Sequence, residues 1–240
     1  MFSLCLNLLD KILVMAAQRK KKNITDEQIV SWYTDFCLTN GKKPSSVYEF
    51  SKQNAFEETD FYKHFSSFES LESEYFSTMF HYALELLTEN KEYLEYDPAQ
   101  KLTSFYFTFF EMATANRSFV KYLLEDGTIP LKNILKLKQL RLDFLSYVKT
   151  VLEAPLKLDN EKIKSLQNKL VAEGAWIQFL SIIGFWLKDT SPNFEKTDIY
   201  IEKSVKAAFD VVYNVPVESI IDFGKFIWKE KMGDAFTSNK

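Results

Sequence analysis

The chain has 240 residues, 46% hydrophobic and 26% charged, a balance that suits one large folded domain or a small domain joined to a larger one. Its 22 phenylalanines against six glycines and six prolines favour long helices around an aromatic core, and a net charge of −3 excludes a broadly basic nucleic-acid binder. Two cysteines, Cys5 and Cys37, exclude a disulfide framework and suit a reducing, cytoplasmic setting.

Met1 to Val14 is apolar but interrupted by Asp10 and Lys11, and shorter than the roughly 18 apolar residues of a membrane span. It has no basic leading segment and no small-residue cleavage site, so it does not read as a signal peptide. Phe2, Cys5, Leu9, Ile12 and Leu13 recur at helical spacing, which also suits a helix lying on a membrane surface. The simpler reading starts the natural chain at Met15 and treats residues 1–14 as an upstream extension. Arg19, Lys20, Lys21 and Lys22 follow as a basic arm without an apolar anchor.

Thr25 with Gln28 predicts a capping box, and Asp26 and Glu27 stand in the first turn, where the helix dipole favours acids. Ile29, Trp32, Tyr33, Phe36 and Cys37 then recur at three- and four-residue spacing until Gly41 ends the run. Ser46 with Glu49 predicts a second capping box, opening a short helix that buries Val47 and Phe50. A break at Asn54-Ala55 leads to a third short helix with Phe61 and Phe65 on one face. Over residues 26–65 this is a helix-turn-helix arrangement.

Helical periodicity continues over 67–89, 98–114, 116–125, 130–152, 160–188, 194–213 and 216–232. Pro98, Pro130, Pro192 and Pro216 each stand where a helix begins, a position where the missing N–H costs nothing. No alternating pattern predicts a strand. The predicted fold is all-α: an extension and arm over 1–23, a helix-turn-helix module over 24–66, and a larger helical bundle over 67–240. Ala175–Leu187 reads as too short to span a bilayer and fits a buried helix, so no integral membrane segment is expected.

Catalytic chemistry finds no foothold. His64 reads as a helix-surface residue and His81 as structural, and no spacing fits zinc, a phosphate loop or a nucleophile elbow. No catalytic residue, metal site or cofactor is expected. Thr103–Met112 is bulky on every side of a helix, and Trp176, Phe179, Ile182, Ile183 and Trp186 form a second such surface. Such walls line small-molecule pockets, and they also pack solid cores. The candidate pocket is Phe105, Tyr106, Phe109, Phe110, Trp176, Phe179, Ile183 and Trp186. With few charges among them, the expected ligand is long and apolar or lipid-like.

The N-terminal segment carries a family resemblance. Ser46–Ala55 is similar to a T-V-x-D-I-A-x-x-A-G helix, and Phe56, Phe61, Tyr62, His64 and Phe65 fall on the positions of a V-S-x-G-T-L-Y-x-H-F signature. Phe68-Glu69-Ser70-Leu71 follows where K-E-x-L is usual. Over about fifty residues this resembles the TetR/AcrR family of bacterial transcriptional regulators. The resemblance implies contacts to double-stranded DNA from the arm Arg19, Lys20, Lys21 and Lys22, and from Lys42, Lys43, Ser46, Lys52, Thr59, Tyr62, Lys63 and His64. It also implies a homodimer paired through the last two long helices, with Val205, Phe209, Val212, Ile220, Ile227 and Trp228 at the interface.

One departure bears on function. Glu57, Glu58, Thr59 and Asp60 replace the family's usual Ser, basic or polar residue, Gly and Thr at the end of a reading helix that meets bases and phosphates. Over residues 26–65, Lys42, Lys43, Lys52 and Lys63 face seven acids, Asp26, Glu27, Asp35, Glu49, Glu57, Glu58 and Asp60. Carboxylates repel phosphates, yet they accept hydrogen bonds from cytosine N4. In a helix's first turn they also stabilise it by roughly 0.3–1 kcal/mol each. The expected function is a TetR-like regulator that binds DNA and an apolar ligand. The alternative is a TetR-fold lipid-binding or adaptor protein that does not bind DNA.

Overall fold

The first helix, α1 (Asp26–Asn40), starts and stops on the residues that the sequence singles out. The Gln28 amide donates to the Thr25 hydroxyl oxygen at 3.3 Å and the Thr25 amide to the Gln28 side chain at 3.3 Å, closing the capping box. Gly41 ends the helix at φ 64°, its N–H bonded to the Cys37 carbonyl; a residue with a Cβ is strained in that left-handed conformation. The computed structural model describes residues 24–124, 135–152 and 161–214. The basic arm, residues 1–14, Pro130, Pro216 and the helix expected at 216–232 lie outside the described residues.

The next two helices are short. α2 (Val47–Gln53) is capped by the Ser46 side chain, which accepts from the Glu49 amide at 3.1 Å. The reciprocal half of that box does not form, because the Glu49 carboxylate instead takes the Ser45 hydroxyl and the Gln53 side-chain amide. Ala55, at φ 55°, makes the turn into α3 (Glu58–His64). Phe50 is the hub: its ring meets Tyr33, Phe56 and Phe61 edge-on at centroid distances of 6.2, 5.7 and 6.3 Å. Ile29, Tyr33, Cys37, Phe50 and Phe61 are fully buried, and Trp32 stacks on Phe56 at 5.4 Å. One aromatic cluster thus sets the angle between α2 and α3.

The chain divides into two compact units between Ser67 and Phe68. The second contains α4 (Phe68–Glu89), α5 (Lys91–Glu95), α6 (Pro98–Ala115), α7 (Arg117–Leu124), α8 (Lys138–Leu152), α9 (Glu161–Lys188) and α10 (Glu195–Asn214). Every described regular element is helical. α8 packs on α4 and α9, while α6 packs on α4 and α10. Pro98 does open α6, behind an Asp97–Gln100 capping box. α5 has no counterpart in the sequence reading. It begins at an Asn90 cap and buries only Tyr93, too little for a periodic stripe. The described part of the helix expected at 130–152 opens as a tight 3-10 turn, Leu135–Leu137.

The apolar run in α9 needs a correction. Lys169–Lys188 has a mean hydropathy of 1.5 and is long and apolar enough to cross a membrane by length and composition alone. Leu170, Val171, Ala172 and Gly174 extend the run upstream of Ala175. Of its apolar window 44% is buried, with Trp176, Phe179, Ile182, Ile183 and Trp186 packed inside the bundle.

The corner from α9 to α10 is held by two charges. The buried Asp189 carboxylate accepts from the amides of Ser191 and Thr197 at 2.8 and 2.9 Å and from both hydroxyls at 2.7 Å. The Arg117 guanidinium donates to the carbonyls of Trp186, Leu187 and Asp189 at the end of α9, and its plane lies over the rings of Trp186 and Phe194. Asn193 and Phe194, at φ 50° and 59°, are the strained residues this clamp retains.

Burial pushes the Asp189 carboxyl up, but the hydrogen bonds from Ser191 and Thr197 outweigh it and hold the group at about 2, against 3.8 ordinarily. A depressed carboxyl adds stability above its ordinary value, and that stability is lost as pH falls through about 2. Asp189→Ala should therefore cost about 2–3 kcal/mol in urea unfolding near neutral pH, the range for losing a cap with charge-assisted bonds. The difference from wild type should persist at pH 5 and shrink on titration toward pH 2.

Candidate functional site

α3 is a two-sided helix. Phe61 faces the Phe50 cluster with no exposure, and Phe65 just past the helix end is buried as well. Glu57, Thr59, Tyr62 and Lys63 are exposed, while Glu58, Asp60 and His64 are half-buried. Tyr62 is 52% exposed, so the outward face is aromatic as well as charged.

The charges on that face are consumed locally. The Lys63 ammonium lies 2.5 Å from the Asp60 carboxylate, and the Tyr62 hydroxyl donates to Glu58 at 3.3 Å. Desolvation and the Glu58 carboxylate push Tyr62 up. His64 Nδ1 stands 2.6 Å from the Asp26 carboxylate, tying the end of α3 to the first turn of α1. Lys52 lies over the Tyr48 ring at 5.6 Å, and Ser46 is engaged as the α2 cap. Lys42 and Lys43 are exposed in the loop after Gly41. The structure thus brings Thr59, Tyr62, Lys63 and His64 onto one short helix, with Ser46 and Lys52 at the two ends of α2. Arg19, Lys20, Lys21 and Lys22 lie outside the described residues.

Seven of the eight residues proposed for a pocket, four on α6 and three on α9, are linked by ring contacts, and Ile183 is buried on α9. Phe179 meets Phe105, Tyr106, Phe109, Phe110, Phe144 and Trp176 at centroid distances from 4.8 to 6.0 Å. Phe110 reaches Trp186 at 6.0 Å, and the Trp186 indole donates to the Thr114 hydroxyl at 3.0 Å. Phe144 of α8 is the member that the sequence reading left out; its spacing with Leu140 and Val148 on one face of α8 carried the signal. Burial raises the Tyr106 phenol strongly, and among the described residues its hydroxyl has long hydrogen bonds, 3.5 Å to the Ala175 carbonyl and 3.4 Å to Gln178. Tyr147 is satisfied instead, donating to the Lys101 carbonyl at 3.1 Å with the Tyr93 hydroxyl 2.8 Å away.

On α10, Val205 is buried within its own bundle and Phe209 is half-buried, while Val211 is 58% exposed. The side chain of Val212 is outside the described residues, as are Ile220, Ile227 and Trp228. Neither histidine forms part of a metal-ligand cluster among the described residues. His81 is exposed, 3.6 Å from Asp143, whose carboxylate also accepts from Ser77 at 2.6 Å.

A helix-turn-helix unit followed by a larger bundle is the layout of a helical regulator. A family model for the tetracyclin repressor-like C-terminal domain matches residues 101–227, more than half of the chain. The chain belongs to the TetR family, whose members are regulators and not enzymes. No curated protein matches it.

Phe179→Ala measures how much space the ring cluster already contains. With six ring neighbours closing on the position, the substitution should cost about 3–5 kcal/mol in chemical denaturation. A cost below about 1 kcal/mol would mean that the cluster already encloses a cavity.

Proposed function

We propose that the chain is a homodimeric transcriptional regulator that binds double-stranded DNA through α1–α3 and answers to a long apolar or lipid-like ligand in its bundle. The observation that carries this reading is the packing around Phe50. It leaves α3 an exposed outer face bearing Thr59, Tyr62 and Lys63, the side chains a reading helix offers to a major groove. Glu57 and Glu58, at the start of α3, are suited to accept from cytosine amino groups. Lys42, Lys43, Lys52 and the arm Arg19–Lys22 supply phosphate contacts, His64 adds a donor, and the arm can enter the adjacent minor groove.

The ligand reading rests on the aromatic cluster. Tyr106, buried with long hydrogen bonds, offers an entering molecule one polar handle among apolar rings. A ligand that binds one bundle shape better shifts the population toward it, and in a dimer that shift changes the spacing of the two reading helices. Phe209 and the exposed Val211, continued by Val212, Ile220, Ile227 and Trp228, form the pairing surface. Val205 faces inward and supports that surface from within. The setting is cytoplasmic.

One observation favours a second reading, a TetR-fold lipid-binding or adaptor protein that leaves DNA alone: the recognition-helix lysine is already paired with Asp60. DNA from the chain's own upstream region separates the two when binding is followed across salt concentrations. Nanomolar binding that falls steeply with salt is expected; no binding above background at low salt would leave the second reading. Mass spectrometry of organic extracts from purified protein should reveal a long apolar molecule.

Asp60→Asn tests the pairing itself. Releasing Lys63 and removing one negative charge should tighten binding to any duplex. The log–log salt slope should steepen by about 0.9, the increment for one added phosphate contact. Fluorescence anisotropy of a labelled duplex reads both.

A further inference from the structure

Of the helices α4, α6 and α8, the last brings the least apolar burial to the ring cluster. Its buried side chains are Leu140, Phe144 and Val148, one stripe at four-residue spacing, against six buried residues on α6 and eight on α4. The flanks of that stripe are held by polar ties. Ser77 of α4 donates to the Asp143 carboxylate at 2.6 Å, and Gln139 braces its other oxygen at 3.1 Å. On the opposite flank Arg141 reaches both oxygens of Glu173 on α9 at 2.7 Å. One turn further on, Tyr147 donates to the Lys101 carbonyl of α6 at 3.1 Å.

The start of α8 is held differently. Lys136, in the turn ahead of it, lies 3.3 Å from the buried Glu72 carboxylate of α4 and donates to the Leu123 carbonyl of α7 at 2.9 Å. Parting a buried ion pair strands a charge, so this end is the fixed one. The ties at Asp143 and Arg141 are half-exposed, and water can take the place of each partner as they separate. The α10 side of the bundle carries the proposed pairing surface, where a second copy closes it. That leaves α8 as the wall able to move.

We propose that α8 is the gate of the bundle: it swings about Lys136, parts from its neighbours along the seams at Asp143, Arg141 and Tyr147, and admits an apolar molecule to the rings around Phe179. The gate rests on the ligand reading given above and adds the route by which that ligand arrives. Phe144 travels with the helix, so opening withdraws a ring that stands 4.8 Å from Phe179 and makes room beside it. The ties on the flanks exist in the closed state alone and set the cost of opening. Weakening one raises the open population, so entry and exit quicken together while the affinity stays nearly constant.

Stopped-flow fluorescence of the full chain with N-phenyl-1-naphthylamine, a neutral dye that brightens in apolar surroundings, reads both rates. Asp143→Ala and Ser77→Ala break the same bond from either side. Each should speed uptake and release by about tenfold, the scale of one hydrogen bond to a charged group, and leave Kd within about twofold. Arg141→Ala should speed both by about threefold, since its pair is more exposed. Asp97→Ala removes the α6 cap without touching the seams, and should leave both rates unchanged. Phe179→Ala should change the dye's Kd, which places the dye in the ring cluster. Unchanged rates in all three seam variants would overturn the gate and leave the ligand reading standing. Equal acceleration in Asp97→Ala would do the same, as the sign of general loosening. A Kd that weakens without faster exchange would make the seam part of the binding wall instead of a gate. No dye uptake at all, or a Kd indifferent to Phe179→Ala, would overturn both the gate and the ligand reading.

Discussion

Phe179 is the constraint on which the bundle depends. Its ring touches aromatic side chains of α6, α8 and its own helix, so three helices are fixed against one side chain. Rings at these distances interlock by their edges and faces, and such contacts are both attractive and directional. The abundance of phenylalanine thus becomes geometry: α9 can take one rotation and one height, and α10 inherits its position from the clamped corner at Asp189 and Arg117. Glycine contributes little to this economy. Among the described residues Gly41 is the one glycine at positive φ, and the other tight turns are made by Ala55, Asn193 and Phe194.

The N-terminal unit follows the same logic on a smaller scale. Phe50 gathers Tyr33, Phe56 and Phe61, and everything opposite that cluster is free to carry charge. On α3 the charges are organised as near neighbours: Asp60 with Lys63, Glu58 with Tyr62, and Asp26 of α1 with His64. These are exposed or half-exposed pairs of modest energy, so they tune what the helix offers without deciding whether it forms.

Much of the fold was legible because its signals are local. The Thr25–Gln28 box, the Gly41 stop and the stripe Ile29, Tyr33 and Cys37 can be read within one helix, and each appears in the structure. Glu49 illustrates the limit: the spacing permits a capping box, but competing partners at Ser45 and Gln53 take the carboxylate. α5 was hidden because a single buried tyrosine makes no pattern. The corner at Asp189 and the seam at Asp143 were not legible at all. Arg117 meets the end of α9 from about seventy residues away, and the seam exists only once α4 and α8 lie side by side. The residues proposed to meet DNA on α2 and α3 lie on helices that the sequence predicts; the pairing of Lys63 with Asp60 depends on side-chain orientation that spacing alone leaves open.

The two-sided character of α3 has an evolutionary consequence. Substitutions at exposed positions such as Glu57, Thr59 and Lys63 generally change stability by less than about 0.5 kcal/mol, because they leave the Phe50 cluster untouched. The outer face can therefore drift, acquire carboxylates or regain lysines almost neutrally, while selection for folding acts on the inner face alone. In such a module ancestry is recorded by the phenylalanines and occupation by the charges, and the two records can diverge without the chain ever passing through an unfolded intermediate.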